Sequence, residues 1–144
     1  MITNDLKIGI NNTLDKEFPN INIYGEEIVQ GFEEPCFFIK ILDSEQNKEL
    51  NKRYKRYISF DIHYFSDKED INSDCLDMAD KFYELLEYIE VNGDLYRTMN
   101  MKHEVVDSVL HFYLNFNFTV IKKDKAVDSV KMQKLTQEVV EKNG

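Results

Sequence analysis

The chain has 144 residues, 42% of them apolar, and a formal net charge of −9. That length and apolar content suit one globular domain that can bury a core without a metal or a disulfide, and they exclude a disordered chain. The acidic balance is spread thinly along the sequence and disfavours a broad DNA-binding face, which needs Lys and Arg to neutralise phosphates.

The two cysteines, Cys36 and Cys75, sit in periodic apolar segments without a CxxC spacing, so both are expected as buried thiols. The N-terminal stretch shows no basic segment leading into an apolar run, so no signal peptide is expected. No stretch reaches the length of a membrane span. These features point to a protein made and folded in a cytoplasm.

The first segment, MITNDLKIGINNTLDKEF, places Ile2, Leu6, Ile10, Leu14 and Phe18 near one helical face. Thr3 or Asn4 is a candidate cap, and Pro19 stops the helix near Phe18. NINIYGEEI predicts a short strand, QGFEEP a turn, and CFFIKIL (Cys36 to Leu42) a second strand. The polar run DSEQNKELNKR predicts a loop or an extended hairpin tip. YKRYISFDIHYF is a third strand, with Ile58, Phe60, Ile62 and Tyr64 on one face and Tyr57, Ser59, Asp61, His63 and Phe65 on the other.

The clearest helix lies in SDKEDINSDCLDMADKFYELLEYIE. It starts around Asn72 to Asp74 and carries Leu76, Ala79, Phe82, Tyr83, Leu86 and Ile89 at spacings of three and four; Gly93 ends it or forms the following turn. LYRTMNMKHEVVD reads as one strand. VLHFYLNFNFTVI (Val109 to Ile121) is the most strand-like stretch: Leu110, Phe112, Leu114, Phe116, Phe118 and Val120 alternate with a set built of His, Tyr, Asn and Thr. A short terminal helix is expected beyond it, with Val127, Val130 and Val139 as a thin apolar stripe. This order predicts an α+β fold, a small mostly antiparallel or mixed sheet with two main helices packed on one face. Residues 1–121 form the domain and 122–144 a C-terminal extension.

Chemistry finds little support. Five scattered glycines make no phosphate-binding loop. His63, His103 and His111 fall on three strands without HxH or HExxH, so no metal site is expected. Ser59, Asp61 and His63 share a strand face at a repeat of about 6–7 Å, which was reason to expect no direct hydrogen bond between them. Glu87 and Glu90 are expected on a solvated surface. Neither a catalytic residue nor a cofactor is assigned.

One positive island stands out: Lys52, Arg53, Tyr54, Lys55, Arg56 and Tyr57. It suits ion pairs with an acidic neighbour, plain solvation or a nucleic acid. Together with His63, Phe65, Tyr113 and Asn115 it makes the candidate interface. Ten Phe and eight Tyr with no catalytic motif suit a protein that works through contact area.

The landmarks INNTLDKEFPNINIYGEEIVQGFEEPCFFIKIL, KRYKRYISFDIHYF, CLDMADKFYELLEYI and VVDSVLHFYLNFNFTV resemble the small tail terminator, or tail-completion, proteins of tailed phages and phage-like particles. The resemblance spans roughly Ile2 to Val120 and is weakest from Lys122 onward. It implies a homo-oligomeric ring, usually a hexamer, on the end of the finished tail tube. Such a ring stops tube growth and presents the surface for the head connector. The implied partners are the tail tube protein, with the tail sheath and head connector beside it. DNA passes only through the lumen, no membrane is involved, and the site of action is the virion tail after assembly in a host bacterial cytoplasm. The family brings no catalytic residues. The alternatives are a head–tail adaptor or connector-completion protein, and a cytoplasmic small-ligand-binding or regulatory dimer that uses the polar-aromatic face. An enzyme ranks third.

Overall fold

The computed structural model describes residues 2–25 and 31–122. Helix α1 (Ile2–Glu17) buries Leu6, Ile10 and Leu14, one residue per turn, as the spacing predicts. It begins at Ile2, so Thr3 and Asn4 lie inside its first turn and are not its caps. The Phe18 amide still donates to the Leu14 carbonyl at 2.8 Å before Pro19 ends the helix.

Strand β1 (Asn22–Tyr24) pairs in parallel with β2 (Cys36–Leu50), Asn22 opposite Cys36 and Tyr24 opposite Phe38. β2 runs past Leu42 and takes in most of the polar run. A two-residue turn at Asn51 and Lys52 leads to β3 (Arg53–Phe65), so the expected hairpin tip is a long, regular arm. Asn51 sits at φ 53°, a conformation Asn tolerates better than most residues.

Helix α2 (Ile71–Leu85) is capped by Asp70, whose carboxylate accepts from the Ser73 amide at 3.2 Å. Its buried stripe is Cys75, Met78, Ala79 and Phe82. The expected stripe had Leu76 in place of Cys75, yet Leu76 is 50% exposed. The helix also stops short of Ile89. That residue belongs to β4 (Tyr88–Val91), which forms a separate two-stranded sheet with β5 (Asp94–Arg97). Of the two expected roles for Gly93, the turn is the one it takes. With Asn92 it forms the hairpin turn, at φ 52° for Asn92 and 88° for Gly93, the pattern of a type I′ turn.

The stretch expected as one strand from Leu95 breaks at Thr98. The Thr98 side chain is buried and its hydroxyl lies 2.8 Å from the Leu86 carbonyl and 2.9 Å from that of Glu87. Beyond it, β6 (Met99–Val106) joins the main sheet, antiparallel to β7 (Val109–Ile121), through a second positive-φ turn at Asp107 and Ser108. A bulge between Met99 and Lys102 takes up one extra residue, with Asn100 at φ 51°.

The main sheet has the order β1-β2-β3-β7-β6. Ring contacts fix the sense of β3 against β7: Phe60 meets Phe116 at 6.0 Å, whereas His63 meets His111 at 4.4 Å. Residue numbers rise on one strand as they fall on the other, so the pair is antiparallel. With β1 parallel and its neighbours antiparallel, the sheet is mixed and the fold is α+β, as expected.

The described residues divide into two compact units: 2–25, 31–44 and 58–116 in the first, and 45–57 with 117–122 in the second. The first unit holds the helices and the core. Phe82 of α2 lies at its centre, 5.7 Å from the Phe37 ring, 5.2 Å from that of Phe112 and 6.4 Å from that of Phe18. Both helices therefore cover one sheet face, built from Phe37, Ile62, Tyr64 and Phe112. At the end of β3, the Tyr64 and Ser66 hydroxyls both donate to Asp74 of α2, at 2.6 and 2.7 Å. In the second unit the end of the hairpin is tied to the end of β7, where the Lys122 amide donates to the Lys52 carbonyl at 3.0 Å. The expected terminal helix lies outside the described residues.

Candidate functional site

In the second unit, the basic run occupies the start of β3. Period-2 alternation exposes Arg53 and Lys55 and leaves Tyr54 and Arg56 half-buried. Lys52, in the turn, is exposed as well. The Tyr54 ring lies 4.5 Å beneath the Lys122 ammonium, a cation–π contact that orients the ring. Beside it, Leu50 and Ile121 stay largely exposed and, with Asn51, Lys52 and Arg53, line a shallow groove. Tyr57 is half-buried.

In the first unit, the sheet face turned away from the helices has two parts. One is aromatic: Tyr24, Phe32, Phe38 and Phe65 form a cluster whose rings lie 4.7 to 6.5 Å apart. Phe65, expected at an interface, is half-buried inside this cluster.

The other part is polar and centres on Asp61. Its Oδ2 lies 2.8 Å from His63 Nε2 and 3.1 Å from His111 Nδ1. The expectation that Asp61 and His63 stand too far apart for a hydrogen bond is corrected here. The repeat of ~6–7 Å separates Cα atoms two apart on a strand, whereas these side chains lean along it toward each other. His63 and His111 also converge, because β3 and β7 are sheet neighbours. His103 does not join them: its Nδ1 meets the Tyr83 hydroxyl at 2.8 Å on the helix side. Glu104, its neighbour, faces the opposite way and accepts from the Tyr113 hydroxyl at 2.9 Å. Burial first, then that hydrogen bond, pushes the Tyr113 phenol up to about 12.

Asp61 is 5% exposed and His63 9%, on a face expected to be solvated. Asp61 Oδ1, His63 Nδ1 and Asn115 Oδ1 are buried with no hydrogen-bond partner among the described residues. The alternation of the two strands already carried Asp61, His63 and His111 on matching sets. What it lacked was the pairing of β3 with β7, strands separated by a helix and three further strands, and that pairing makes them one cluster.

Cys36 and Cys75 are buried free thiols, and burial pushes Cys36 up to about 11. The family model described as phage tail terminator protein matches residues 5–128. The chain belongs to that family. It thus has a structural role in phage tail assembly, in which it interacts with other tail or head components. No curated protein matches the chain. Among the described residues, no helix is long and apolar enough to cross a membrane.

Proposed function

We propose that the protein caps the tail tube as a closed ring of its own copies, usually six, ends tube polymerisation and forms the surface that joins the head. The family match carries this reading. The surface of the second unit supports it. A hairpin end with exposed Leu50 and Ile121 beside Lys52, Arg53 and Lys55 offers apolar area rimmed by positive charge. The chain as a whole carries a net charge of −9, so acidic side chains on the next copy are available to that island. A ring needs a heterologous interface that closes, and opposite charges on two different patches of one protomer give that interface its direction. The same negative balance disfavours adhesion of DNA that passes through the lumen.

The experiment adds purified protein to polymerising tail tube protein and follows tube length and tube ends by electron microscopy. Added early, the protein yields short tubes with one density-bearing end. A length distribution that does not respond to its concentration contradicts termination.

A further inference from the structure

We propose that Asp61, His63 and His111 form a binding site for one divalent transition-metal ion, with zinc as the best fit to the donors. Two imidazoles and a carboxylate are a donor set that zinc accepts, with bonds of roughly 2.0–2.2 Å. Donors around a tetrahedral ion then stand about 3.3 Å apart, from the same bond lengths. Asp61 Oδ2 already lies 2.8 Å from one imidazole nitrogen and 3.1 Å from the other. One ligand atom from each of the three residues falls within 4.8 Å of both others. An ion therefore needs each imidazole nitrogen to part from Asp61 Oδ2 by only a few tenths of an ångström, and the two imidazole nitrogens to settle at about 3.3 Å from a separation within 4.8 Å. Three protein ligands leave a fourth position for water or for a group from a partner protein.

A second observation points the same way. As a purely hydrogen-bonded trio the cluster is half satisfied. Oδ2 of Asp61 takes both imidazole N–H groups, while Asp61 Oδ1 is buried without a partner. A partly satisfied buried network of this kind is unfavourable. With both imidazoles neutral it also confines a carboxylate charge at a side chain that is 7% exposed. A dication compensates that charge and offers Asp61 Oδ1 a place in a two-oxygen carboxylate ligand. Each imidazole moves its proton to the ring nitrogen that faces away from the ion. The His111 side chain is 22% exposed against 11% for His63, so an ion enters past His111. Tyr113 stacks on the His111 ring at 6.3 Å and holds Glu104 nearby, which adds negative charge to the approach. Bound there, the ion pins β3 to β7 in the middle of the sheet.

The test uses the full chain after chelation and dialysis, titrated with Zn²⁺ by calorimetry and with Co²⁺ by visible absorption. The expected result is one ion per chain and a rise in Tm of roughly 5–10 °C at a hundredfold excess over Kd. His111→Ala weakens binding at least tenfold, and His103→Ala leaves it unchanged. In the unmutated protein, Co²⁺ broadens the NMR signals of the His63 and His111 rings more strongly than that of the His103 ring on the opposite sheet face, a readout that does not depend on any variant folding. Absence of binding overturns the proposal. So does binding that survives His111→Ala, or broadening confined to His103.

Discussion

Gly9 of α1 lies so close to Ile89 of β4 that a Cβ at Gly9 would sit 2.6 Å from the Ile89 Cγ2 atom and 2.9 Å from the Glu90 carbonyl oxygen. Read from sequence, this glycine only weakens a helix. In the structure it lets α1 approach the small β4–β5 sheet. Gly9→Ala gains up to about 1 kcal/mol of helix propensity but overpacks a site bounded by a β-branched side chain and backbone, at about 1–3 kcal/mol or more. The overpacking wins. The variant is expected to show a lower urea midpoint with an unchanged m-value; a raised midpoint contradicts the close approach.

The register of α2 gives the next prediction. Phe82 is fully buried among Phe18, Phe37 and Phe112, so Phe82→Ala is expected to cost about 3–5 kcal/mol. Leu76 is 50% exposed, and Leu76→Ala is expected to stay within about 0.5 kcal/mol of the parent. Equal losses at the two positions in denaturant titrations would restore Leu76 to the core.

Both thiols are fully buried, and burial raises Cys36 to about 11 and moves Cys75 the same way. The thiolate is the reactive form, so neither residue is expected to alkylate in the native protein near pH 8. Both react once the chain is unfolded. Rapid native labelling of either, read by mass spectrometry, contradicts the packing of β2 or α2.

Tyr113 tests the polar face. Its folded-state pKa is raised from 10.0 to about 12, by burial first and then by its hydrogen bond to Glu104. A raised folded value means that the neutral phenol is favoured by folding. Its contribution to stability is present below pH ~10 and is lost as pH climbs through ~12. Subtracting the alkaline absorbance titration of Tyr113→Phe from that of the parent is expected to give a step near the upper value. A step near 10 contradicts both the burial of the phenol and its bond to Glu104.

These cases mark what the sequence could carry. The fold class, both helices and the strands Cys36–Leu42, Tyr54–Phe65 and Val109–Ile121 were legible, because period-2 and period-3.6 patterns report burial directly. The α2 stripe slipped by one residue because Cys75 and Leu76 are both apolar and only packing separates them. The β4–β5 hairpin was hidden because Tyr88 to Val91 continues a helical-looking run. Only the positive φ of Asn92 and Gly93 turns it back. The Asp61 cluster needed non-sequential pairing of β3 and β7, which no local pattern encodes. Nor does a period-2 pattern show which apolar residues also pack within the domain: Phe65, expected at an interface, is half-buried against Phe32 and Phe38.

The proposed role in ending tube growth is tested most directly by removal of the gene from the phage or particle genome. Lysates without the protein are expected to contain tubes of uncontrolled length with no heads attached, and supplying the protein in trans restores uniform joined tails. Tails of normal, uniform length in its absence would contradict the account.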